Sequence, residues 1–339
     1  MEKELLLRME KKLKKISDDE IFCVYIDFPF CRSKCDYCIY KSISYKDGLN
    51  KREEYVEAVK EQLKIFKILF EIKIPDSIYF GGGTPSLWST DELDYIVDSI
   101  NNYNLIKMKK SEAHPYDLND ERIKYYAEKL NLDVISLGVQ SFDKNACIGQ
   151  NRIWVDKDSI KHIVSEFHKY DVKVNIDLVA LFNGDEEEDW KIFEEDMNIV
   201  CNEIKPDIIT SIPNYKTKLV YLEQLPRFRS ILKEYVGDIY FPAGSKMLSL
   251  NYEDIKKYGE NDHWIATKDY WIFQDSNVRY SSSHPSPKCP PKQITLSFGG
   301  AGNHVVYSYI SSDNYVVYSA YNFEKHKFDY FDNHIINNS

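Results

Sequence analysis

Hydrophobic residues in the first two thirds of the chain form short apolar runs that alternate with amphipathic stretches. Such runs are typical of buried parallel strands, whereas apolar residues that recur every three or four positions predict helices. Six strands are predicted, at about residues 23–28, 77–80, 107–113, 134–139, 172–179 and 207–212. Strands that alternate with helices indicate parallel βα units, so we expect an α/β fold built as a partial, open (β/α)6 barrel.

The amphipathic stretches place helices between these strands. They are predicted over about 51–72, from about Asn119, over about 156–170 and around 190–200. Thr90, followed by Asp91 and Glu92, is predicted to cap a further helix. Residues 1–20 predict a surface helix with a weak apolar stripe, which we expect to decorate the fold.

After about residue 213 the regular alternation fades. Helices are predicted near Glu223 to Tyr235 and Tyr252 to Tyr258, while four prolines in residues 281–291 exclude a helix or central strand and suggest a lid. Apolar runs at about 294–298, 304–310 and 315–319 predict strands that extend the sheet or form a hairpin. We therefore divide the chain into three parts. These are an N-terminal helical extension (1–20), the partial barrel (21–213) and a substrate or lid region that continues the core (214–339).

Composition narrows the class of protein. The chain has 339 residues, seven cysteines without regular pairing and a formal net charge of -10. Because phosphate binding depends on clustered Lys and Arg, we expect no nucleic-acid partner. The N-terminus resembles no signal peptide and no apolar run is long enough to cross a bilayer, so we expect no membrane association and a cytoplasmic location.

Three closely spaced cysteines carry the candidate chemistry. Cys31, Cys35 and Cys38 follow the first predicted strand with the spacing C-x3-C-x2-C, so they can surround one iron-sulfur cube from a single loop. Protein clusters normally have four thiolate ligands, so three leave one iron open for a substrate or cofactor. The alternatives are a zinc knuckle and plain core thiols. Zinc usually takes four Cys or His ligands, and no Cys or His follows Cys38 within forty residues.

This motif, with Tyr37 before its last cysteine, resembles the radical S-adenosylmethionine (SAM) superfamily. The resemblance implies a [4Fe-4S] cluster on the three cysteines, with the SAM amino and carboxylate groups on the open iron. The run Gly81-Gly82-Gly83-Thr84-Pro85, at the end of the second predicted strand, resembles the superfamily's glycine-rich motif that receives the SAM amino group. Glycine there lets the backbone approach a ligand, and the alternative interpretation of the run is a tight turn. The SAM contacts implied in this part of the chain are Tyr37, Gly82, Gly83 and Thr84.

Residues 22–178 also resemble the oxygen-independent coproporphyrinogen III oxidase-like (HemN-like) family, with a fainter similarity at 300–304. The resemblance rests on Glu112 in the third strand, on Leu137 to Asp143, on Gly149 and Arg152, and on Asn175 to Leu178. In that family the residues matching this set contact SAM: Glu112, Gln140, Arg152 and Asp177. Glu112 is suited to the two ribose hydroxyls, as acidic residues are in dinucleotide sites.

The chain departs from this family in several places. Tyr40 replaces a further cysteine of the oxidases, and Val179 to Gly184 replaces a Gly-Leu-Pro turn. The His-Asn-x-x-Tyr-Trp motif of the related heme chaperones does not occur, and about 35 residues after His304 are too few for the C-terminal helical domain of both groups. These differences argue against porphyrinogen decarboxylation and against heme delivery.

The expected activity is therefore reductive cleavage of SAM to a 5'-deoxyadenosyl radical that modifies a small-molecule or carrier-bound substrate. The preferred subclass is a methyltransferase or cyclopropane-forming enzyme that binds two SAM molecules instead of one. The alternatives are a heme-binding or heme-trafficking protein and an oxygen-independent porphyrinogen oxidase. A flavodoxin or ferredoxin is the expected electron donor, docking on the cations of the cluster loop, Arg32 and Lys34, and on Lys41.

The other cysteines and some histidines are weaker candidates. Cys23, Cys147 and Cys201 are predicted to be core residues, because free cysteine behaves as a small hydrophobe. The candidate proton-transfer groups are predicted to lie in loops near the barrel mouth. They are Cys289, His284, His304 and His114.

Overall fold

The computed structural model describes residues 2–17, 20–38, 42–46, 48–180, 187–213, 292–299 and 315–332, with residues 227, 230, 231, 234 and 235. The helices are α1 Glu2–Leu13, α2 Leu49–Ile72, α3 Thr90–Ser99, α4 Asp120–Lys124, α5 Lys144–Gly149, α6 Lys157–His168 and α7 Glu187–Asn198. The strands are β1 Glu20–Phe28, β2 Phe30–Cys31, β3 Ile43–Ser44, β4 Ser77–Gly82, β5 Met108–Ala113, β6 Val134–Gln140, β7 Lys173–Ala180, β8 Ile208–Pro213, β9 Lys292–Phe298, β10 Tyr315–Asn322 and β11 Lys327–Asp332.

Nine strands form one sheet in the order β11-β10-β9-β1-β4-β5-β6-β7-β8. The six strands predicted from the sequence, β1 and β4 to β8, all pair in parallel, which confirms the α/β class. Over the described residues this sheet is open, with β8 and β11 at its edges. Since the carboxyl ends of parallel strands lie at the same edge of a sheet, the loops after β1, β4, β5 and β6 come together there.

The two faces of the sheet differ in chemistry. Val24, Ile26 and Phe28 of β1 belong to the main apolar core, and the ring of Phe22 stacks on that of Phe70 in α2. The residues between them, Cys23, Tyr25 and Asp27, point the other way, because side chains alternate along a strand. One face therefore packs on the helices, whereas the inner face carries polar and ionisable side chains.

Two local predictions need correction. The cap of α3 is Ser89 rather than Thr90, because the Ser89 hydroxyl accepts the Glu92 amide and the Glu92 carboxylate accepts the Ser89 amide. Such a capping box satisfies two otherwise unpaired donors. Helix α1 is also more than a decoration, since its apolar stripe of Leu5, Met9 and Leu13 is buried in the main core.

The β-rich C-terminal extension is confirmed, and it adds to the β1 edge of the sheet. Strand β9 pairs in parallel with β1, and β10 pairs in parallel with β9. Strand β11, which the sequence did not predict, pairs with β10 as an antiparallel hairpin. Predicted features that lie outside the described residues are the helix at 252–258, the Pro-rich segment 281–291, the strand at 304–310 and most of the helix at 223–235. Among the described helices, none is long and apolar enough to span a bilayer.

A buried polar contact ties this extension to α2. Gln62 donates from Nε2 to the Ser319 hydroxyl at 2.8 Å, and its Oε1 accepts the Gly299 amide at 2.9 Å. Phe66, one turn further along α2, packs on the rings of Phe298 and Tyr330. The C-terminal strands are thus part of the main core.

We predict that Gln62→Leu lowers the free energy of unfolding by about 1–3 kcal/mol, because the Gly299 amide is left buried without an acceptor. Urea denaturation measures the change, with Glu61→Ala as the control, since Glu61 is exposed on the neighbouring position of α2. Equal stability of the Gln62→Leu and Glu61→Ala variants would mean that this contact does not hold the extension.

Candidate functional site

The loop after β1 carries the three cysteines and is closed by backbone hydrogen bonds. Strands β2 and β3 pair across it, with the Ile43 amide donating to the Pro29 carbonyl and the Tyr45 amide donating to the Cys31 carbonyl, each at 2.8 Å. Within the loop the Cys38 amide donates to the Cys35 carbonyl at 3.1 Å. All three cysteines are reduced and partly exposed. The loop thus presents its thiols at the carboxyl edge of the sheet.

The glycine-rich segment after β4 lies directly against this loop. Thr84 Oγ1 donates to Cys31 Sγ at 3.3 Å, and a Cβ placed on Gly83 would lie 2.9 Å from the same sulfur. Gly82 has a φ of +112°, and a Cβ there would lie 2.0 Å from Asp27 Oδ1. Side chains at these two glycines would therefore fill the space between the two loops.

The arrangement of the three thiols differs from that of a site for a single metal ion. Among the described side chains, no group of three or more His, Cys, Asp and Glu is placed to hold a single metal ion. An iron-sulfur cube makes a different demand, because each thiolate binds a separate iron atom. Burial raises the pKa of Cys31, while the Thr84 hydroxyl and the Arg152 guanidinium oppose that rise.

Arg152 joins the cluster loop to the end of β6. Its Nη1 donates to Tyr37 Oη at 3.1 Å and lies 3.6 Å from Cys35 Sγ. Its Nε donates to the Val139 carbonyl at 3.4 Å and its Nη2 donates to the Gly138 carbonyl. The predicted SAM contacts Arg152 and Tyr37 are therefore close together, but both engage in contacts within the protein. In this conformation they brace the cysteine loop.

Glu112 and Asp177 lie on the inner face of the sheet, on β5 and β7. The Tyr79 hydroxyl donates to Glu112 Oε1, and burial raises the pKa of Glu112 to about 7. Asp177 accepts hydrogen bonds from Asn175 Nδ2 at 2.7 Å and Ser136 Oγ at 3.1 Å, which limit the rise in its pKa that burial causes. Glu112 therefore changes charge near neutral pH, whereas the pKa of Asp177 is raised by burial against the pull of its hydrogen bonds.

Two other inner-face residues have buried polar atoms without partners. Neither carboxylate oxygen of Asp27 accepts a hydrogen bond within the described residues, nor does Gln140 Oε1. Burial raises the pKa of Asp27 well above its usual value, Glu112 raises it further, and the nearby Phe28 amide lowers it. Gln140 has a φ of +73° beside an irregularity in the pairing of β6 with β7. Unpaired buried polar atoms and strained backbone are features of ligand sites.

His114 and Arg32 lie at the rim of this site. His114 Nδ1 accepts the Tyr116 amide at 3.1 Å, and burial lowers the pKa of His114 well below its usual value, so the imidazole is neutral. Arg32 forms an ion pair with the Asp117 carboxylate and lies 5.8 Å from the centroid of the Tyr45 ring. The first of the predicted docking cations is thus already paired.

The structure places these predicted site residues at one edge: Cys31, Cys35, Cys38, Tyr37, Gly82, Gly83, Thr84, Glu112, Gln140, Arg152 and Asp177. The weaker candidates Cys289, His284 and His304 lie outside the described residues, as does Lys41. Cys23 and Cys147 are buried as predicted, and Cys201 is half-buried.

Sequence reasoning missed the inner-face residues Asp27, Tyr79 and Lys110. The sequence pattern that could have identified them is a polar residue at every second position of a buried strand, as in Lys110 and Glu112 of β5.

Comparison with known proteins identifies the family to which this chain is similar. Residues 25–196 match the family described as the Radical SAM superfamily. The heme chaperone HemW of Lactococcus lactis is 34% identical over an alignment of 273 residues that covers 73% of this chain and 65% of that protein. The oxygen-independent coproporphyrinogen III oxidase of Helicobacter pylori is 27% identical over an alignment of 162 residues that covers 46% of this chain and 35% of the oxidase.

A solved structure has a similar fold. Coproporphyrinogen III oxidase (HemN) from Escherichia coli, described as a radical SAM enzyme, superposes with a TM-score of 0.58 at 16% identity, covering 72% of this chain and 60% of that one. At this identity the likeness concerns the fold alone. The chain spans between a third and two thirds of the length of the first curated relatives it matches, so their activities do not transfer directly.

We predict that replacing Cys31, Cys35 and Cys38 together by Ala abolishes the brown absorbance near ~400 nm of anaerobically prepared protein, because thiolates are the ligands of such clusters. Iron and sulfide analysis checks the loss. Cys23→Ala, Cys147→Ala and Cys201→Ala are the matched controls and should retain iron. A triple variant that keeps its iron and sulfide would place the cluster elsewhere.

Proposed function

The chain belongs to the radical SAM superfamily, and we propose that it binds a [4Fe-4S] cluster and SAM at the carboxyl edge of its sheet and acts on a tetrapyrrole. The observation that carries the SAM site is the meeting of three elements at one edge. These are the cysteine loop after β1, the Gly82-Gly83 backbone against Cys31, and unpaired buried polar atoms of Asp27 and Gln140. Buried polar atoms without partners are expensive unless a ligand satisfies them.

The residues present suit both groups. Cys31, Cys35 and Cys38 would hold three irons of the cluster, and the backbone at Gly82 and Gly83 leaves room for the methionine part of SAM beside Cys31. When bound, the reduced cluster supplies the electron that cleaves SAM to methionine and a 5'-deoxyadenosyl radical. The proposed site binds one SAM molecule.

The chain's own groups orient the adenosyl part and exclude water. Glu112 would accept hydrogen bonds from the ribose hydroxyls, which requires its ionised form. Since burial raises the pKa of Glu112 to about 7, SAM affinity should rise as the pH rises through 7. Gln140 and Asp177 would complete the pocket, while Arg152 keeps the cysteine loop against β6.

The proposal of a tetrapyrrole substrate is based on the relatives described above. The heme chaperone matches over 273 residues at 34% identity and the oxidase over 162 residues at 27%, so heme is the preferred tetrapyrrole and a porphyrinogen is the second candidate. Both support tetrapyrrole handling better than the methyl transfer or cyclopropane formation expected from the sequence. The missing His-Asn-x-x-Tyr-Trp motif means that heme would be bound by other residues.

We predict that the cluster-loaded protein binds heme with a stoichiometry of one and also binds SAM. Absorbance titration with heme and calorimetry with SAM measure the two events separately. Glu112→Ala should weaken SAM at least tenfold at pH 8, since it removes charge-assisted hydrogen bonds of roughly 1.5–3 kcal/mol each. The same variant should leave heme affinity unchanged.

Products formed with SAM and dithionite distinguish the candidates. Loss of carboxyl groups from coproporphyrinogen III together with 5'-deoxyadenosine identifies an oxidase, whereas stoichiometric heme binding without such turnover identifies a heme carrier. S-adenosylhomocysteine without heme or porphyrinogen binding would overturn the tetrapyrrole proposal and favour methyl transfer.

The electron donor proposed for this site is a flavodoxin or ferredoxin. Because Arg32 is paired with Asp117, the exposed Lys34 is the better candidate to meet an acidic donor. Complementary charges mainly raise the association rate, and salt weakens that effect.

We predict that Lys34→Glu lowers the flavodoxin-driven rate of SAM cleavage about tenfold at low salt, with dithionite-driven cleavage unchanged. Lys67→Glu is the matched control, because it makes the same charge change at an exposed position of α2. If both variants keep the wild-type flavodoxin rate, the donor docks away from the cluster loop.

A further inference from the structure

We infer that Lys110 is a positioning residue whose buried ammonium is the internal counter-ion of Glu112 and Asp177, and that it sets the pH range in which the site binds SAM. The inference deepens the proposed function and rests on its SAM site. Lys110 is on β5, two residues before Glu112, and is only 6% exposed.

The neighbouring residue, Lys109, points to the opposite face of the sheet and has different partners. Lys109, also on β5 and 3% exposed, donates to the Ile106 carbonyl at 2.6 Å and lies 3.9 Å from Asp133. Successive residues of a strand point to opposite faces, so Lys110 shares the inner face with Glu112. Its Nζ lies 5.3 Å from the centroid of the Tyr79 ring, whose hydroxyl donates to Glu112. Within the described residues the Lys110 ammonium has no hydrogen bond and no ion pair at 4 Å or less.

The charges around Lys110 come from several strands. Burial lowers the pKa of Lys110, and the carboxylates of Asp177 on β7 and Glu112 on β5 limit that fall. Asp27 on β1 adds a third carboxyl, whose pKa is raised by burial and further by repulsion from Glu112. Arg152 adds a second cation near Asp177. Among the described residues named here, three carboxyls therefore face two cations.

Tyrosines and neutral polar groups complete these surroundings. Tyr79 faces Lys110 from β4, and burial raises the pKa of Tyr79 well above its usual value, so its hydroxyl stays protonated. Tyr25 on β1 stacks on the Tyr79 ring at 5.5 Å. Ser136 and Asn175 donate to Asp177. None of these groups supplies positive charge.

Arg152 cannot take the place of Lys110. Its guanidinium donates to Tyr37 and to the carbonyls of Gly138 and Val139, so it is held at the cluster loop. Among the residues that the structure describes, Lys110 has no such partner, and its charge acts on the carboxylates in a medium that screens poorly. A nearby cation favours the ionised form of a carboxyl. Without it, Glu112 would keep its proton to a higher pH and could not accept both ribose hydroxyls.

The test compares Lys110→Met with Lys110→Arg and with Lys109→Met as the matched control. SAM dissociation constants of the cluster-loaded proteins are measured by calorimetry from pH 5.5 to 8.5. In wild type, affinity should rise with a midpoint near pH 7. In Lys110→Met this midpoint should move up by at least one pH unit, so that binding at pH 7 is about tenfold weaker and recovers toward pH 8.5. Lys110→Arg and Lys109→Met should keep the wild-type midpoint.

Two results would overturn the inference. An unchanged midpoint in Lys110→Met would mean that Lys110 does not control the carboxyls. A loss of affinity that is equal at every pH would mean that Lys110 contacts SAM directly or acts only on folding.

A ligand-free measurement separates this inference from the proposed function. A carboxyl with a raised pKa in the folded state contributes stability that is full below its unfolded pKa and is lost as the pH rises through its folded pKa. For Glu112 that loss should be complete just above pH 7 in wild type, and should continue to higher pH in Lys110→Met but not in Lys109→Met. Urea unfolding across this range measures it. If wild type binds no SAM but the shift is present, the proposed function fails and the counter-ion role stands; if the shift is absent, the role fails.

Discussion

Burial of ionisable side chains on the inner face of a parallel sheet is the constraint on which this structure depends. Removing a carboxylate from water is costly unless hydrogen bonds or opposite charges replace the lost hydration. Glu112 and Asp177 have such partners in Tyr79, Asn175 and Ser136. For the Asp27 carboxylate, no group in the described part of the chain reaches hydrogen-bond geometry. The opposite face of the sheet packs on the helices as a large apolar core, which offsets the cost of burying these charges. The inner face itself is suited to a polar, charged ligand.

The cysteine loop depends on the same sheet for its position. It is too short to have a core of its own, so backbone pairing of β2 with β3 and the guanidinium of Arg152 hold it in place. Arg152 is anchored on carbonyls at the end of β6, which places the loop after β1 against a strand three positions away in the sheet. The proposed cluster and the proposed adenosyl pocket are thus parts of one rigid edge. A change at Arg152 would disturb both.

The C-terminal strands change how the first strand is supported. In a barrel that ended at β1, that strand would be an exposed edge, and exposed edges are prone to unwanted pairing. Here β9 pairs with β1 over seven residues, and Gln62 ties the segment after β9 to α2. The strand that precedes the cysteines is therefore central rather than peripheral. Its carboxyl end, where Asp27 and the loop lie, is correspondingly well fixed.

Local patterns were sufficient for the six parallel strands and for the cysteine loop, because periodicity and close spacing are properties of neighbouring residues. Glu112, Gln140 and Asp177 came from resemblance to a family. The partnership of Lys110 with Glu112 and Asp177, the bracing role of Arg152 and the placement of β9 beside β1 join residues far apart in the chain. Alternation along β5 groups Lys110 with Glu112 and separates both from Lys109, but it does not say which side of the strand becomes the polar inner face of the sheet. Such differences arise from strand order and register, which long-range packing decides.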